Sequence, residues 1–478
     1  MFSNASSDFT GRETDLRFLN DLYEKSKTEA QLLILAGKIR VGKTKLLKKF
    51  FQDKPHIYYH ATKGSPQDQI QTTAELFIHE FGDVYLEKTA LSTWKTFFQY
   101  LASRLKNQTN PLVIIFDEFQ NLALSDGQIP SHFELGWDED LKDKKILLIL
   151  AGSSLSSMNT YALDHNSPLA RKKTALWIME NFSYETAKSS SKSQDFTKTF
   201  SLYAIAGGVP AYLKEMDASK SIQENIRKRI LAKSSFLSVE PQLLLADEFQ
   251  ESKIYLTILK AIGCEEIPNS HILNKTGLPS QKLSAYLSHL IKIKLVKRSV
   301  PVTVLHPEKS KKGMYSLCDN FLRFYFSFVY PHMSLIESGN FETLFKLHGS
   351  VLDTILEKSY EDLMIEILNN QIKKGTIPDF EQVGKYWDSH LAATVVATNI
   401  DANSVLFGKS YWHEKPLGVQ YLTDLKKQSS LIEWGGEGRS EFFVLVCRRG
   451  FSQELHEIAK KDPRVVLIHE DKVLMDTV

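Results

Sequence analysis

The residues most plainly arranged for chemistry are Gly37, Gly42, Lys43 and Thr44, which complete the spacing GxxxxGK[ST] within "QLLILAGKIRVGKTKLLKKFF". Glycines let the chain curl so that backbone N–H groups face a phosphate, and the helix start adds positive potential. The loop and first turn therefore run through Gly37, Lys38, Ile39, Arg40, Val41, Gly42, Lys43, Thr44 and Lys45. Lys43 is expected to reach the β- and γ-phosphates of ATP, and the Thr44 hydroxyl to ligate Mg²⁺. The apolar run before the loop and the helical pattern after it frame the site as strand, turn and helix.

A second stretch, "NPLVIIFDEFQNL", places Asp117 and Glu118 directly after five apolar residues, Leu112 to Phe116. Carboxylates at the C-terminal end of a buried strand in an open α/β sheet face the ligand crevice. Asp117 is the expected Mg²⁺ ligand, and Glu118 the group that orients and deprotonates the attacking water. A third apolar run, in "KKILLILAGSSLSSM", ends at Ser153 and Ser154. Ser153 could sense the γ-phosphate, or the pair could simply cap the next helix. Arg171, in "NSPLARKK", either reaches phosphate, in cis or across a subunit contact, or forms a solvated basic turn.

These residues must be carried by more than one core. A chain of 478 residues implies two to four domains. With 42% hydrophobic and 24% charged residues and a net charge of +2, composition points to a globular protein without a global field for nucleic acid or membrane. The three cysteines, Cys264, Cys318 and Cys447, argue against a disulfide framework or a cysteine zinc site and fit a reducing cytosol. The first residues show no signal-peptide pattern, and the longest apolar runs have strand length. The expectation is a cytoplasmic protein with no membrane partner.

The "FTGRETDLRFL" opening, "GKIRVGKT", "FDEFQNL", "AGSS", "YAIAGGVPAYL" and "MYSLCDNFLRFYFSFVYP" together resemble the STAND-type branch of the AAA+ ATPases. Within it, the chain is similar to the prokaryotic, archaeal-type ATP-binding proteins. That resemblance implies that Gly11, Arg12 and Glu13 lie near the adenine, and that "GGVP" belongs to a nucleotide-sensing lid. Read from the residues alone, "TGRE" is equally a helix start with Thr10 as N-cap and Glu13 three residues on.

Farther along, "SKIYLTILKAIGCEEIPNSHILNKTGLPSQKLSAYLSHLIKIKLVKRSV" has apolar stripes at helical spacing and a Gly277 turn, the pattern of a winged helix. Its expected DNA-facing positions are Gln281, Lys282, Ser284, Tyr286, Ser288 and His289. The basic residues Lys292, Lys294, Lys297, Arg298, Lys309, Lys311 and Lys312 follow on the next strands and their loop. DNA contact and a purely intramolecular role are both open.

From about residue 339 the pattern returns to helix, paired strands, helix, strand. The resemblance implies a restriction-endonuclease-like C-terminal domain, in which active members end one strand with Asp and carry Glu-x-Lys on the next. Laid onto this chain, those positions hold Thr394, Lys409 and Tyr411. An ammonium cannot ligate Mg²⁺, so the metal site is degenerate and the domain is expected to bind a partner instead of cutting.

The predicted fold is α/β. It comprises a P-loop NTPase domain with helical lid (1–240), a winged helix (241–335) and a degenerate nuclease-like domain (336–478). The expected function is an ATP-hydrolysing switch acting on those modules, with DNA, a protein partner and an oligomer as open possibilities. The competing readings are an ATP-regulated nuclease and a DNA-binding regulator with structural ATP.

Overall fold

The computed structural model describes residues 10–83, 91–191, 193–249, 251–388, 394–436 and 438–474. Phe9 of the opening motif and Leu391, Ala392 and Ala393 before Thr394 lie outside these residues. The chain forms two compact units. One holds residues 1–190, 209–214 and 242–252, and the other holds residues 191–208, 215–241 and 253–478.

In the first unit the apolar runs become a five-stranded sheet. Its strands are β1 (Gln31–Gly37), β2 (His56–His60), β3 (Leu112–Asp117), β4 (Ile146–Gly152) and β5 (Ala175–Met179), in the order β2-β3-β4-β1-β5. All its pairings are parallel. Strands β1, β3 and β4 are buried at every residue, as expected of a parallel sheet covered on both faces.

On one face, Leu19 and Leu22 of helix Glu13–Lys25 and Leu46, Leu47 and Phe50 of helix Lys43–Phe51 pack on Leu33, Leu35, Val113, Ile115 and Ile149. Side chains alternate along a strand, so Phe116 points to the other face. There it meets Phe77, Trp94 and Phe133 at ring distances of 5.0 to 6.4 Å. Each such fully buried side chain contributes roughly 1.5–3 kcal/mol relative to exposure. This packing fixes the strand ends that carry the chemistry.

The second unit contains two sheets. The strands β6 (Ile267–Pro268), β7 (Val296–Ser299) and β8 (Met314–Leu317) form a small antiparallel sheet in the order β6-β8-β7. Helices Asn269–Thr276 and Ser280–Lys292 precede β7, and Gly277 ends the first of them at φ +67°.

The polar face expected there is only partly available. Gln281, Lys282, Ser284, Ser288, Lys292, Lys294, Lys309, Lys311 and Lys312 are exposed. His289 instead shares a 2.7 Å hydrogen bond with the Tyr255 hydroxyl, and burial lowers its pKa. Tyr286 packs edge-on against the same Tyr255. Lys297 pairs with Asp362, and Arg298 donates to the carbonyls of Pro307 and Ser310, bracing the β7–β8 loop. Those four residues are committed within the fold, where the charge count alone suggested phosphate contacts.

A six-stranded mixed sheet follows, from β9 (Gln382–Tyr386), β10 (Thr394–Asn399), β11 (Ser404–Tyr411), β12 (Ser440–Cys447), β13 (Val465–His469) and β14 (Lys472–Val473). The order is β14-β13-β12-β11-β10-β9, with β11, β12 and β13 parallel and the outer pairings antiparallel. Leu422, Leu425 and Leu455 of two flanking helices pack on Phe407, Phe443 and Leu445. On the opposite face, Gly408 leaves room for Met364 of the long helix Phe341–Lys373. The chain is thus an α/β protein with a parallel five-stranded sheet and a separate C-terminal mixed sheet.

Candidate nucleotide site

Because every strand of the first sheet runs the same way, the turns after β1, β3 and β4 share one edge. The loop after β1 takes two left-handed steps, at Arg40 (φ +63°) and Gly42 (φ +103°). The second is a conformation that L side chains rarely adopt, which is why glycine precedes the helix. Lys43 is buried and donates from Nζ to the carbonyls of Gly37 (2.8 Å) and Lys38 (3.1 Å).

Burial lowers the Lys43 pKa to about 8, against the raising influence of Glu118, Asp117 and Glu248. A phosphate beside the ammonium favours the charged form. Nucleotide binding between about pH 8 and 10 is therefore expected to take up part of a proton. Calorimetry in buffers of different ionisation enthalpy checks this; an uptake of zero at pH 8.5 contradicts it.

Thr44 lies one residue on and donates from Oγ1 to Asp117 Oδ2 at 2.8 Å. Asp117 is fully buried, and the same oxygen accepts from the Tyr58 hydroxyl at 2.6 Å, with His60 Nδ1 at 3.9 Å. Its other oxygen accepts the Glu118 N–H. Burial, reinforced by Asp117, raises the Tyr58 pKa, so the phenol stays protonated and remains a donor. A hydroxyl and a carboxylate are hard oxygen donors of the kind Mg²⁺ takes together with phosphate and water. Among the described residues, no three His, Cys, Asp or Glu side chains form a metal site by themselves. Thr44 and Asp117 would therefore hold the ion only with the nucleotide's oxygens.

Glu118 sits in the left-handed region at φ +55°, a strained position for a non-glycine residue. Its carboxylate accepts from the Ser153 hydroxyl and from Gln120 Nε2, and Gln120 also reaches Ser153 Oγ at 3.1 Å. The turns after β3 and β4 are thereby joined through one carboxylate.

Arg12 braces this edge from behind. It donates from Nη2 to the Val41 carbonyl (2.8 Å), pairs with Asp15 (3.3 Å) and lies over the Phe182 ring. Burial lowers its pKa despite Asp15. Gly11 turns at φ +79°, where a Cβ would run into Thr186, and its N–H is capped by Glu13. The N-cap of the first helix is Arg12 and not Thr10, whose hydroxyl instead meets Ser190.

Arg171 does not join the cluster in cis. It ends a short 3₁₀ turn before β5, and β5 starts beside Leu33 of β1, so the turn lies at the N-terminal edge of the sheet. Next to it, Lys172 pairs with Asp138, just ahead of the start of β4. Tyr58, His60, Gln120 and Glu248 were not among the expected residues. Alternation in "HIYYH" is the signal for the first two, because it puts Tyr58 and His60 on one face of a strand end.

In the C-terminal sheet, Val395 pairs with Gly408, which brings Thr394, Lys409 and Tyr411 to one end of β10 and β11. Lys409 Nζ lies 5.8 Å from the Tyr411 ring centre, and Thr394 is buried. Beyond them Trp412 is buried against Phe200 and Tyr360, with Arg448 stacked on its ring.

Two family models match the chain. One, described as an ATPase domain predominantly from Archaea, matches residues 9–216; the other, described as Archaea bacterial proteins of unknown function, matches residues 325–427. An uncharacterized protein of Methanocaldococcus jannaschii is 29% identical over 454 residues, covering 93% of this chain and 97% of that one. Among solved structures, a Walker-type ATPase of Pyrococcus abyssi is similar at TM-score 0.48 and 20% identity, covering 67% of this chain and 97% of its own. The ORC2 protein of Aeropyrum pernix, solved with ADPNP and ADP, is similar at TM-score 0.44 and 13% identity, covering 74% and 96% respectively. The first family model spans the loop, both acidic residues and Ser153, and supports an ATPase-type, nucleotide-binding domain there. Among the described residues, no helix is long and apolar enough to cross a membrane.

Proposed function

We propose that the protein is an ATP-hydrolysing switch of the STAND/AAA+ type. The reading rests above all on the linked set Lys43, Thr44, Asp117, Glu118 and Ser153 at one sheet edge. Lys43 and the loop N–H groups, with Gly11 and Arg12 behind them, bind the nucleotide. Thr44 and Asp117 hold Mg²⁺, which neutralises phosphate charge. Glu118 orients water and accepts its proton, and Ser153 keeps Glu118 aimed at the terminal phosphate. Arg171 has no cis role in this scheme, and a role in trans requires an oligomer.

The reading extends to a winged-helix module around β6–β8 that touches DNA through exposed basic residues of that face, Lys282, Lys292, Lys294, Lys309, Lys311 and Lys312. The C-terminal sheet carries Thr394, Lys409 and Tyr411 where cleavage would need two carboxylates and a lysine. Its role is recognition of a partner, protein or DNA, in the cytoplasm. The test is phosphate release from ATP with and without duplex DNA. Wild-type protein is expected to turn ATP over, DNA to stimulate it, and Lys43→Ala to abolish both binding and turnover. Turnover equal in wild type and Lys43→Ala overturns the assignment of the site. Turnover indifferent to DNA at low salt removes DNA from the scheme.

A further inference from the structure

Glu248 ends the helix Glu240–Glu248 and lies in residues 242–252, a segment of the first unit whose neighbours in sequence on both sides belong to the second. Its carboxylate accepts three hydrogen bonds at the turn that follows β4. The donors are the Ser154 hydroxyl at 3.2 Å, the Leu155 N–H at 3.0 Å and the Ser156 N–H at 2.9 Å. Ser153, the residue before these donors, holds the Glu118 carboxylate. A carboxylate distant in sequence is thus planted one residue from the group expected to meet the terminal phosphate.

Its electrostatic neighbours include Lys38 and Lys43 of the phosphate loop. Burial raises the Glu248 pKa, while the two N–H donors, Ser154 and Lys38 lower it. Glu248 in turn favours the charged form of Lys43. Those lysines are the cations that a triphosphate would use. A partly buried carboxylate and a γ-phosphate compete for the same positive field and repel each other at short range. A diphosphate has no group at that position and leaves the carboxylate undisturbed.

Resting on the nucleotide-site reading above, we propose that Glu248 is a specificity-determining residue that separates ATP from ADP. The terminal phosphate displaces its carboxylate from the Ser154–Ser156 turn and frees residues 242–252, whereas ADP leaves the contact closed. Binding of ATP is weakened by the work of that displacement, and the released segment is the signal that triphosphate is present.

The test measures the dissociation constants of ATP and ADP for the full chain, for Glu248→Gln and for Glu248→Ala. Both substitutions remove the charge, and only the second also removes every hydrogen bond to the turn. ATP is expected to bind about tenfold more tightly to Glu248→Gln while ADP changes by less than about twofold, with the same bias in Glu248→Ala. Hydrogen exchange at the Leu155 and Ser156 amides is expected to quicken with a non-hydrolysable ATP analogue and not with ADP. An unchanged ATP-to-ADP ratio in Glu248→Gln, with the wild type binding both nucleotides, overturns the inference alone. A uniform loss for both nucleotides in Glu248→Ala, with Glu248→Gln like wild type, reduces the residue to a structural contact and also overturns it. Wild-type protein that binds neither nucleotide overturns the nucleotide site and this inference with it.

Discussion

Glu118→Gln protein is expected to bind ATP within about threefold of wild type and to hydrolyse it roughly 10²- to 10⁴-fold more slowly, the range for loss of a positioned general base. Binding survives because the phosphate-facing groups are elsewhere. Lys43 is anchored on the loop carbonyls, and Thr44 still meets Asp117. The substitution keeps shape and polarity, and the amide oxygen can still accept from Ser153 or Gln120. The amide cannot accept a proton from water. Chemistry therefore falls while the site stays assembled, a loss in kcat with little change in KM. Ser153→Ala makes the informative companion: it keeps the base but frees it from the β4 turn, so a smaller loss of kcat is expected. Should Glu118→Gln retain wild-type turnover, the base lies elsewhere. Single-turnover phosphate release, measured beside nucleotide binding, separates these outcomes.

Local chemistry is what made the phosphate loop legible. The spacing of Gly37, Gly42, Lys43 and Thr44 is a property of eight consecutive residues, and the turn they form depends on little else. Asp117 was legible for a related reason: five apolar residues ending in an acid read as a buried strand whose last side chain faces the crevice at the sheet edge. Arg171 shows where such reasoning stops. Its distance from β4 in sequence does not reveal that the chain first returns to the far edge of the sheet, and only the parallel pairing of β5 with β1 does.

The basic hairpin was legible only in part, for a different reason. Lysines and arginines can be counted in a sequence, but their partners cannot, and Lys297 and Arg298 are spent inside the fold. Glu248 is the extreme case. It meets Ser154 to Ser156 more than ninety residues away through one carboxylate, and no period or motif marks it. The Thr394, Lys409 and Tyr411 set came from the family resemblance and not from any periodicity of the chain. Their pairing at one sheet end follows from the register.

Asp362→Asn is expected to lower the stability of the second unit by roughly 3 kcal/mol, the low end for removing one partner of a buried ionic cluster, since Asp362 is 29% exposed. Asp362 lies on the long helix and accepts from Arg323 at 2.9 Å and from Lys297 at 3.2 Å, with Lys385 at 4.0 Å. Arg323 and Lys385 are both nearly buried. Lys385 keeps Glu266 and Glu361 when Asp362 is neutralised, whereas Arg323 loses its carboxylate. The cost therefore falls mainly on Arg323, and a second substitution should recover much of it. Arg323→Met with Asp362→Leu, which removes both charges, is expected to be more stable than Asp362→Asn alone.

The pH dependence has a definite sign. Burial by itself would raise the Asp362 pKa, but Lys297, Arg323 and Lys385 outweigh it and hold the carboxyl well below the usual range. A depressed carboxylate contributes stability above its unfolded pKa near 3.9 and loses it as pH falls toward the folded value. The gap between wild type and Asp362→Asn is therefore expected to be constant from pH 5 to 7 and to narrow below about pH 4. Urea unfolding followed by circular dichroism across that range checks both claims. Equal midpoints at pH 7 would show that the cluster only decorates a fold held by its apolar core. A gap that widened in acid would place the protonation elsewhere. The cluster joins Glu266 just before β6, β7 and the helix carrying Arg323 to β9 and the long helix, so its loss should also loosen the β7–β8 loop. That loop is tied to β9 by the Val302 N–H bond to the Lys385 carbonyl. A drop in stability with faster exchange at Val302 would establish that these charges hold the small antiparallel sheet and the C-terminal sheet as one cooperative body.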